Sequence, residues 1–502
     1  MLDAYRLISP APTQARTRGQ ATNATSSMAM KGLAMVATDE RRDAVVQELV
    51  GELEARFPYA AALLSGASGV QISDSGQEQQ ASETSPAQGA VFTVYDGATF
   101  NEYATSELAP DALASAVRQW ANGLRRRDGP PISFGGHATL AGQDVREFAT
   151  PMQIDPASVP LKRKLALVRD IQRRAQTMDA RIVQAQVRYA DSATASEYIG
   201  RGRWLRQRVR RLSLSLFVVM SDGGETRYNF LPISGAGGFE LAQVTDEQLR
   251  ETVETAARLL EAGRIEPGIY DTITDPSLSG VIAHECFGHG VEMDLFPKGR
   301  SRAAQFVGRQ VAAPDVAMYD DPSLPGAFGS YFFDDEGELA RPTQILRDGV
   351  LLHPISDFAA ATYAGHEAGA HTANGRRQDY TRKAYARMSN TFFGSGSIAP
   401  AAMIAGVERG VYLRRAMSGM EDPMGWGIQV SALYGEEIVN GALTGRLFSP
   451  VGVSGYVPDL LAGISAIGND MRLEAGQCGK GHKEYVDVTV GGPHLRMKAR
   501  LG

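Results

Sequence analysis

Residues 283–290 read "AHECFGHG", placing two histidines and a glutamate within six positions, directly after the apolar run "SGVIAHE". His284 and Glu285 begin like the zinc-peptidase helix H-E-x-x-H, but the second histidine, His289, stands five residues on instead of four. Five residues of ideal α-helix turn through about 500°, so the two imidazoles would diverge by about 140°. Two ligands on one ion therefore require an i→i+5 π-bulge, or a helix that ends before the second histidine. Gly288 and Gly290 bracket His289 and permit such an ending, and Ser277 and Ser279 are candidate caps for the start. The competing reading is a pair of buried histidines on a helix that happens to carry a glutamate.

A catalytic zinc takes three protein ligands and leaves one position open. The third candidate is Cys478, a cysteine among glycines in "EAGQCGKGHKEY" (474–485). A thiolate is a good zinc ligand and must be deprotonated to bind. Glu285 would take the proton of the attacking water and pass it to the leaving amine. The same H-E-x-x-x-H spacing recurs in "HEAGAH" (366–371), with His366, Glu367 and His371. That stretch is rich in glycine and alanine and lacks an apolar face, so it reads as a loop coincidence or a neighbour of the site.

The chain has 502 residues, enough for two or three domains. Its composition is that of a soluble globular protein, 43% hydrophobic and 22% charged, with a formal charge of −6. That balance argues against direct nucleic-acid or anionic-membrane binding. Residues 1–30 lack the apolar stretch of a secretory signal, and no run approaches the roughly 20 apolar residues of a membrane span. Cys286 and Cys478 are the only cysteines, so there is no disulfide framework and a reducing cytoplasm is expected.

The expected architecture is α+β, a mixed N-terminal half followed by a β-rich C-terminal half. Its parts are a flexible leader (1–30), an N-terminal α+β domain (31–130), a central α+β domain (150–262) and a C-terminal zinc domain (263–502). A helix should start near Thr38 or Asp39, with Val46, Leu49, Leu53 and Phe57 on one face, and stop before Pro58. "SDSGQEQQASETSPAQG" (73–89) reads as a polar loop, and alternation around Asp96-Gly97 as a hairpin. A helix is expected over 111–125 and another carrying Leu161, Leu165, Val168 and Ile171. Strands are expected in "ARIVQAQVRYAD" and "RLSLSLFVVMSDGGETRYNF", the second turning at Asp222-Gly223-Gly224. Thr245 and Gln248 form a capping box ahead of a helix over 245–262.

"HECFGHGVEMD" (284–294) resembles the H-E-x-x-x-H-G-x-E-x-D signature of the TldD/PmbA family of metallopeptidases. The resemblance continues, in order, through "YFFDDEGE" (331–338), "DGVLLHPISDFAAA" (348–361), "TANGRR" (372–377), "RMSNTFFGSGS" (387–397), "GVERGVYLRRA" (406–416), "AIGNDMRLEAGQCGKG" (466–481) and "VTVGG" (488–492). It covers most of 265–502, is weaker over 155–262 and weakest before 130. It implies Zn2+ held by His284, His289 and Cys478, with Glu285 as general base. It further implies action on unfolded or leader-type peptides in an enclosed cavity, as a heterodimer with a metal-less relative or as a homodimer. The alternative within the family is a non-hydrolytic scaffold or peptide-maturation subunit. Cys286, His366, His371, His482 and Lys483 depart from the family pattern, which bears on substrate choice.

Several further residues carry two readings. Cys286 is either an inert buried thiol or a reactive one. Glu292 and Asp294 either hold a ligand imidazole or are turn acids. "FDDEGE" (333–338) could bind a cation or simply turn at Gly337. Arg376 and Arg377 could meet a substrate or lie in a surface turn. In "RGRWLRQRVRR" (201–211), Arg206, Arg208 and Arg210 fall on one strand face, read as solvated unless an acidic partner meets it. "SGAGGFE" lacks the lysine of a phosphate loop and reads as a glycine turn.

Overall fold

Asp39 caps the first helix, α1 (Glu40–Glu54), by accepting from the backbone N–H groups of Arg41 and Arg42. The computed structural model describes residues 39–132, 144–364, 371–481 and 484–502. Seven strands make the N-terminal sheet: β1 (Tyr59–Asp74), β2 (Gln79–Tyr95), β3 (Phe100–Thr105), β4 (Asp144–Ala149), β5 (Ile182–Gly200), β6 (Arg203–Ser221) and β7 (Thr226–Ala236). Their order is β3-β2-β1-β5-β6-β4, with β7 also on β6, so strands from 31–130 and 150–262 share one sheet through the β1–β5 pair. The helices α2 (Pro110–Asn122), α3 (Leu161–Gln176) and α4 (Asp246–Leu259) join α1 in this half, and α4 starts at the expected Thr245–Gln248 capping box.

The alternation of each strand decides which face it covers. Ala60, Ala62 and Leu64 of β1 pack with Val46 and Leu49 of α1 and Val117 of α2. Tyr59, Ala61 and Leu63 point the other way, onto Phe333 and Phe358 of the C-terminal half. Leu212, Leu214 and Leu216 of β6 pack with Val168 and Ile171 of α3 and Leu249 and Val253 of α4. Their neighbours Gln207 and Arg211 face the C-terminal half. Gln207 Nε2 donates to Phe333 C=O at 2.9 Å, and Arg211 donates to the carbonyls of Phe328 and Ser330 at 2.5 and 2.9 Å. Beyond Arg211, Ser213 and Ser215 line an open cleft of about 760 Å3 together with Gln71, Gln186 and Arg188.

Two stretches differ from the sequence expectation, the first over most of its length and the second in part. Residues 73–89 are not a loop, because most of them belong to the long β1–β2 hairpin, with Gln71 opposite Ser82 and Val70 opposite Glu83. Strand pairing satisfies the backbone of this polar stretch without needing an apolar face. The arginine strand is a solvated face only at Arg208, which is exposed. Arg206 reaches Asp43, Glu147 and Glu197 at 3.0–3.2 Å, and Arg210 reaches Asp155 at 3.2 Å.

The C-terminal half contains β8 (Gly268–Thr274), α5 (Pro276–Ala283), β9 (Met318–Asp320), β10 (Thr343–Arg347), β11 (Val350–Leu351), α6 (Phe358–Ala364), β12 (Gly375–Arg376), β13 (Tyr385–Ala386), β14 (Asn390–Phe393) and α7 (Pro400–Ala405). It continues with β15 (Arg409–Asp422), β16 (Gly427–Val439), β17 (Ala442–Phe448), β18 (Val451–Tyr456), α8 (Val457–Ala462), β19 (Ile464–Ile467), β20 (Arg472–Lys480), β21 (Glu484–Gly492) and β22 (Leu495–Leu501). Strands β15, β8, β22, β18 and β16 pair in turn, and β16 returns to β15, so this sheet closes on itself. A second sheet has the order β11-β10-β9-β14-β21-β20. Helix α5 is buried along its whole length between β15 and β21. A Cβ on Gly280 would lie 2.4 Å from the Gly491 nitrogen, so glycine is required for α5 to come this close to β21. This α+β architecture is the one expected. Among the described residues no helix is long and apolar enough to cross a membrane.

Candidate metal centre

Helix α5 begins at Asp275, whose carboxylate accepts from the Leu278 N–H at 2.9 Å. Ser277 and Ser279 are not the caps; Ser277 Oγ accepts from Ala416 N–H, and Ser279 Oγ lies 2.7 Å from Thr274 Oγ1. Past Ala283 the chain widens into a π-turn over His284–Gly288, and the His289 N–H bonds back to the His284 carbonyl. This is the i→i+5 device, one of the two ways the five-residue spacing allowed for both histidines to meet one ion, and it brings the two imidazoles together. Their ring centroids lie 4.9 Å apart and the rings are perpendicular. A Cβ on Gly288 would lie 2.1 Å from Met388 Sδ, so a larger residue inside the turn would have to displace that side chain.

Strand β20 delivers Cys478 to the same point. Its Sγ lies 3.5 Å from His289 Nε2, across 189 residues of sequence. The ligating atoms of His284, His289 and Cys478 all lie within 4.8 Å of one another. Two imidazoles and a thiol at this separation suit a tetrahedral zinc with one position left over. Burial alone would raise the Cys478 pKa, but His289, Arg387 and His284 pull it well below the ordinary thiol value. Burial opposes the charge on His289, while Cys478 and Glu292 hold its pKa well above the usual imidazole value. A thiolate poised in this way is the form a metal requires.

Glu285 is buried beside the first histidine. Burial raises its pKa, and His289 and His284 draw it partly back. Gly419 of β15 lies against its side chain, where a Cβ would be 2.4 Å from Glu285 Cγ. Glu292 accepts at Oε2 from His289 Nδ1 at 3.1 Å, which orients the ring. Among the described residues Asp294 pairs with lysines and not with an imidazole, binding Lys480 at 2.5 Å and Lys298 at 3.2 Å. Cys286 is fully buried, and burial lifts its pKa well above the ordinary value, the condition of an inert thiol.

The second H-E-x-x-x-H run behaves differently. His366 and Glu367 lie outside the described residues, as do His482 and Lys483. His371 is buried with Asp334 and Glu336, a second set close enough to hold a cation. Its hydrogen bonds suit a proton instead. Ala373 N–H donates to His371 Nδ1 at 3.3 Å, so Nε2 carries the hydrogen and gives it to Glu336 at 2.9 Å. Asp334 already accepts backbone N–H groups from Glu336, Glu338 and Gly375 around the turn at Gly337. Arg376 and Arg377 are likewise internal. Arg376 holds the carbonyls of Met388 and Asp487, and Arg377 holds Arg382 C=O and Glu102.

Sequence reasoning did not single out Arg387 or Lys480. Arg387 is buried and donates to Cys478 C=O at 2.6 Å, while Lys480 binds Glu292. The available signal was position: Lys480 follows Cys478 by two on a strand and so shares its face.

The sequence model of the PmbA/TldA metallopeptidase central domain matches residues 154–264, and that of the C-terminal domain matches 267–500. A metalloprotease of Methanothermobacter thermautotrophicus is 34% identical over 347 residues, covering 68% of this chain and 74% of the relative. A metalloprotease of Synechocystis is 28% identical over 463 residues, 90% of this chain and 96% of the relative. A Saccharolobus solfataricus protein named a zinc metalloprotease TldD homolog is 25% identical over 292 residues, 57% of this chain and 63% of the relative. The crystal structure of TldE from Thermococcus kodakarensis superimposes with a TM-score of 0.66 at 14% identity, covering 91% of this chain and all of that one, and shows the shared fold. With two consecutive domain matches and relatives aligned along most of its length, the chain belongs to the TldD/PmbA family of metallopeptidases.

Proposed function

We propose that this protein is a zinc-dependent peptidase in which His284, His289 and Cys478 hold the metal and Glu285 is the general base. The observation that carries this reading is the convergence of the three donors in one buried cluster, with Glu285 beside them. Zinc there would polarise a scissile carbonyl and acidify a water. Glu285 would accept the water's proton at its carboxylate and return it to the leaving amine, a task for which a raised carboxyl pKa is suited. Glu292 would keep the hydrogen of His289 on Nδ1 and leave Nε2 free to ligate.

The substrate we infer is an unfolded or leader-type peptide in extended form. Strand β20 ends its sheet and carries Cys478, so a peptide could pair with that edge by its backbone, largely regardless of sequence. We propose that the site works inside an enclosed cavity completed by a partner subunit, either a metal-less relative or a second copy, in the cytoplasm. Metal analysis of the wild type beside Cys478→Ser tests the ligand set. About one zinc per chain that is largely lost in the variant supports it, and zinc fully retained in the variant refutes it. Mass spectrometry of a peptide incubated with the assembled complex then distinguishes hydrolysis, which splits the chain with the gain of one water, from non-hydrolytic maturation.

A further inference from the structure

We propose that Lys480 is a positioning residue of the metal centre, a clamp that ties the strand bearing Cys478 to the carboxylate that orients His289. This rests on the ligand set proposed above. Lys480 Nζ lies 3.0 Å from Glu292 Oε2, 2.5 Å from Asp294 Oδ1 and 3.0 Å from Ala386 C=O. Those three acceptors match the three N–H groups of an ammonium. Glu292 Oε2 is also the atom that receives His289 Nδ1. A closed circuit results, running from His289 through Glu292 and Lys480, along β20 to Cys478, and back to His289 Nε2.

The circuit matters because of where Cys478 sits. Lys480 is the last residue of β20, paired with Glu484, so the thiolate lies only two residues from the strand's end. Strand ends open more readily than strand centres. The residue across from Cys478 on the opposite strand is Val486, whose side chain has no polar group with which to tether the histidine helix. Arg387 braces the hairpin by donating to the carbonyls of Cys478 and Glu484, but its Nε is 4.0 Å from Glu292. Lys480 makes the direct link between the two pieces of chain that must close on one ion.

The test uses the full chain loaded with cobalt or zinc. Lys480→Met keeps an unbranched side chain as far as Cε and removes the ammonium group. Because that takes the lysine from buried Glu292 and leaves Asp294 with Lys298 alone, the double variant Lys480→Met/Asp294→Asn is made as well, and Lys480→Arg serves as the charge-keeping comparison. The readouts are the thiolate-to-cobalt charge-transfer band and the rate of zinc release to excess chelator. Lys480→Met, or the double variant if the single one does not fold, should release zinc about 10- to 100-fold faster than wild type and weaken the band. Lys480→Arg keeps the charge but not the compact ammonium, so its release rate should fall between those of wild type and Lys480→Met. Wild-type release and an unchanged band in either charge-removing variant would overturn the clamp. If wild type itself lacked the band, or Cys478→Ser retained it, the ligand set would have failed, and the clamp with it.

Discussion

Gly419→Ala is the most direct test of whether Glu285 does chemistry. Gly419 lies on β15 against the side chain of Glu285, and an added Cβ would sit 2.4 Å from Glu285 Cγ, 3.1 Å from its Cδ and 2.8 Å from Val281 Cγ1. Carbon atoms in contact rest about 3.5–4.0 Å apart, so the glutamate must withdraw by about 1 Å. A displacement of that size at a reacting group costs about 100-fold in turnover. Overpacking costs about 1–3 kcal/mol of stability, and none of the nearest atoms belongs to a proposed ligand. The expected result is therefore a folded protein with its full metal content and about 1% of wild-type kcat on an unfolded peptide. Gly427→Ala is the control, because a Cβ there meets nothing within 4 Å. Wild-type kcat in a fully metallated Gly419→Ala would refute the assignment of Glu285 as the base.

Other outcomes follow from the same structure. Asp357 is pushed up from 3.8 to about 7 by burial and then by the neighbouring Glu336. A carboxyl raised in the folded state stabilises fully below its unfolded value, and that stability is lost as pH rises from about 4 through 7. Asp357→Asn can keep the hydrogen bond from Ala360 N–H, so its advantage over wild type should grow from nothing near pH 4 to as much as roughly 4 kcal/mol above pH 7. Melting temperatures at pH 5 and pH 8 check this, and an advantage that does not grow would refute it. Gln207→Ala should cost about 1–3 kcal/mol, because it strips partners from the buried Phe332 and Phe333 backbone; urea melts measure it. Glu292→Gln should weaken zinc affinity about 10- to 100-fold in chelator competition, because Gln cannot hold the His289 N–H as a carboxylate does. Zinc affinity equal to wild type would rule out that support.

Local chemistry decided a good deal of this protein in advance. The capping box at Thr245 and Gln248, the helix capped by Asp39 and the turn at Asp222–Gly224 are set by neighbours a few residues apart, and each is present. For His284 and His289 to face one point, their spacing called for a widened turn or an early helix end, because an ordinary helix would separate the rings, and the π-turn is the first of these. Tertiary structure decided what depends on distant partners. Residues 73–89 look like a loop until β1 and β2 pair along their length, because backbone pairing leaves little trace in side-chain pattern. Arg206 looks solvated until Asp43 and Glu197 are brought to it. His371 has the spacing of a ligand, yet the Ala373 N–H on Nδ1 directs its other nitrogen to Glu336 as a donor. Cys478 could be nominated from its glycine-rich surroundings, but only the fold carries it 189 residues to His289 and lays Lys480 onto Glu292. Short-range propensity fixes the shape of a turn, whereas the contacts of a buried charge depend on which distant segments pack around it.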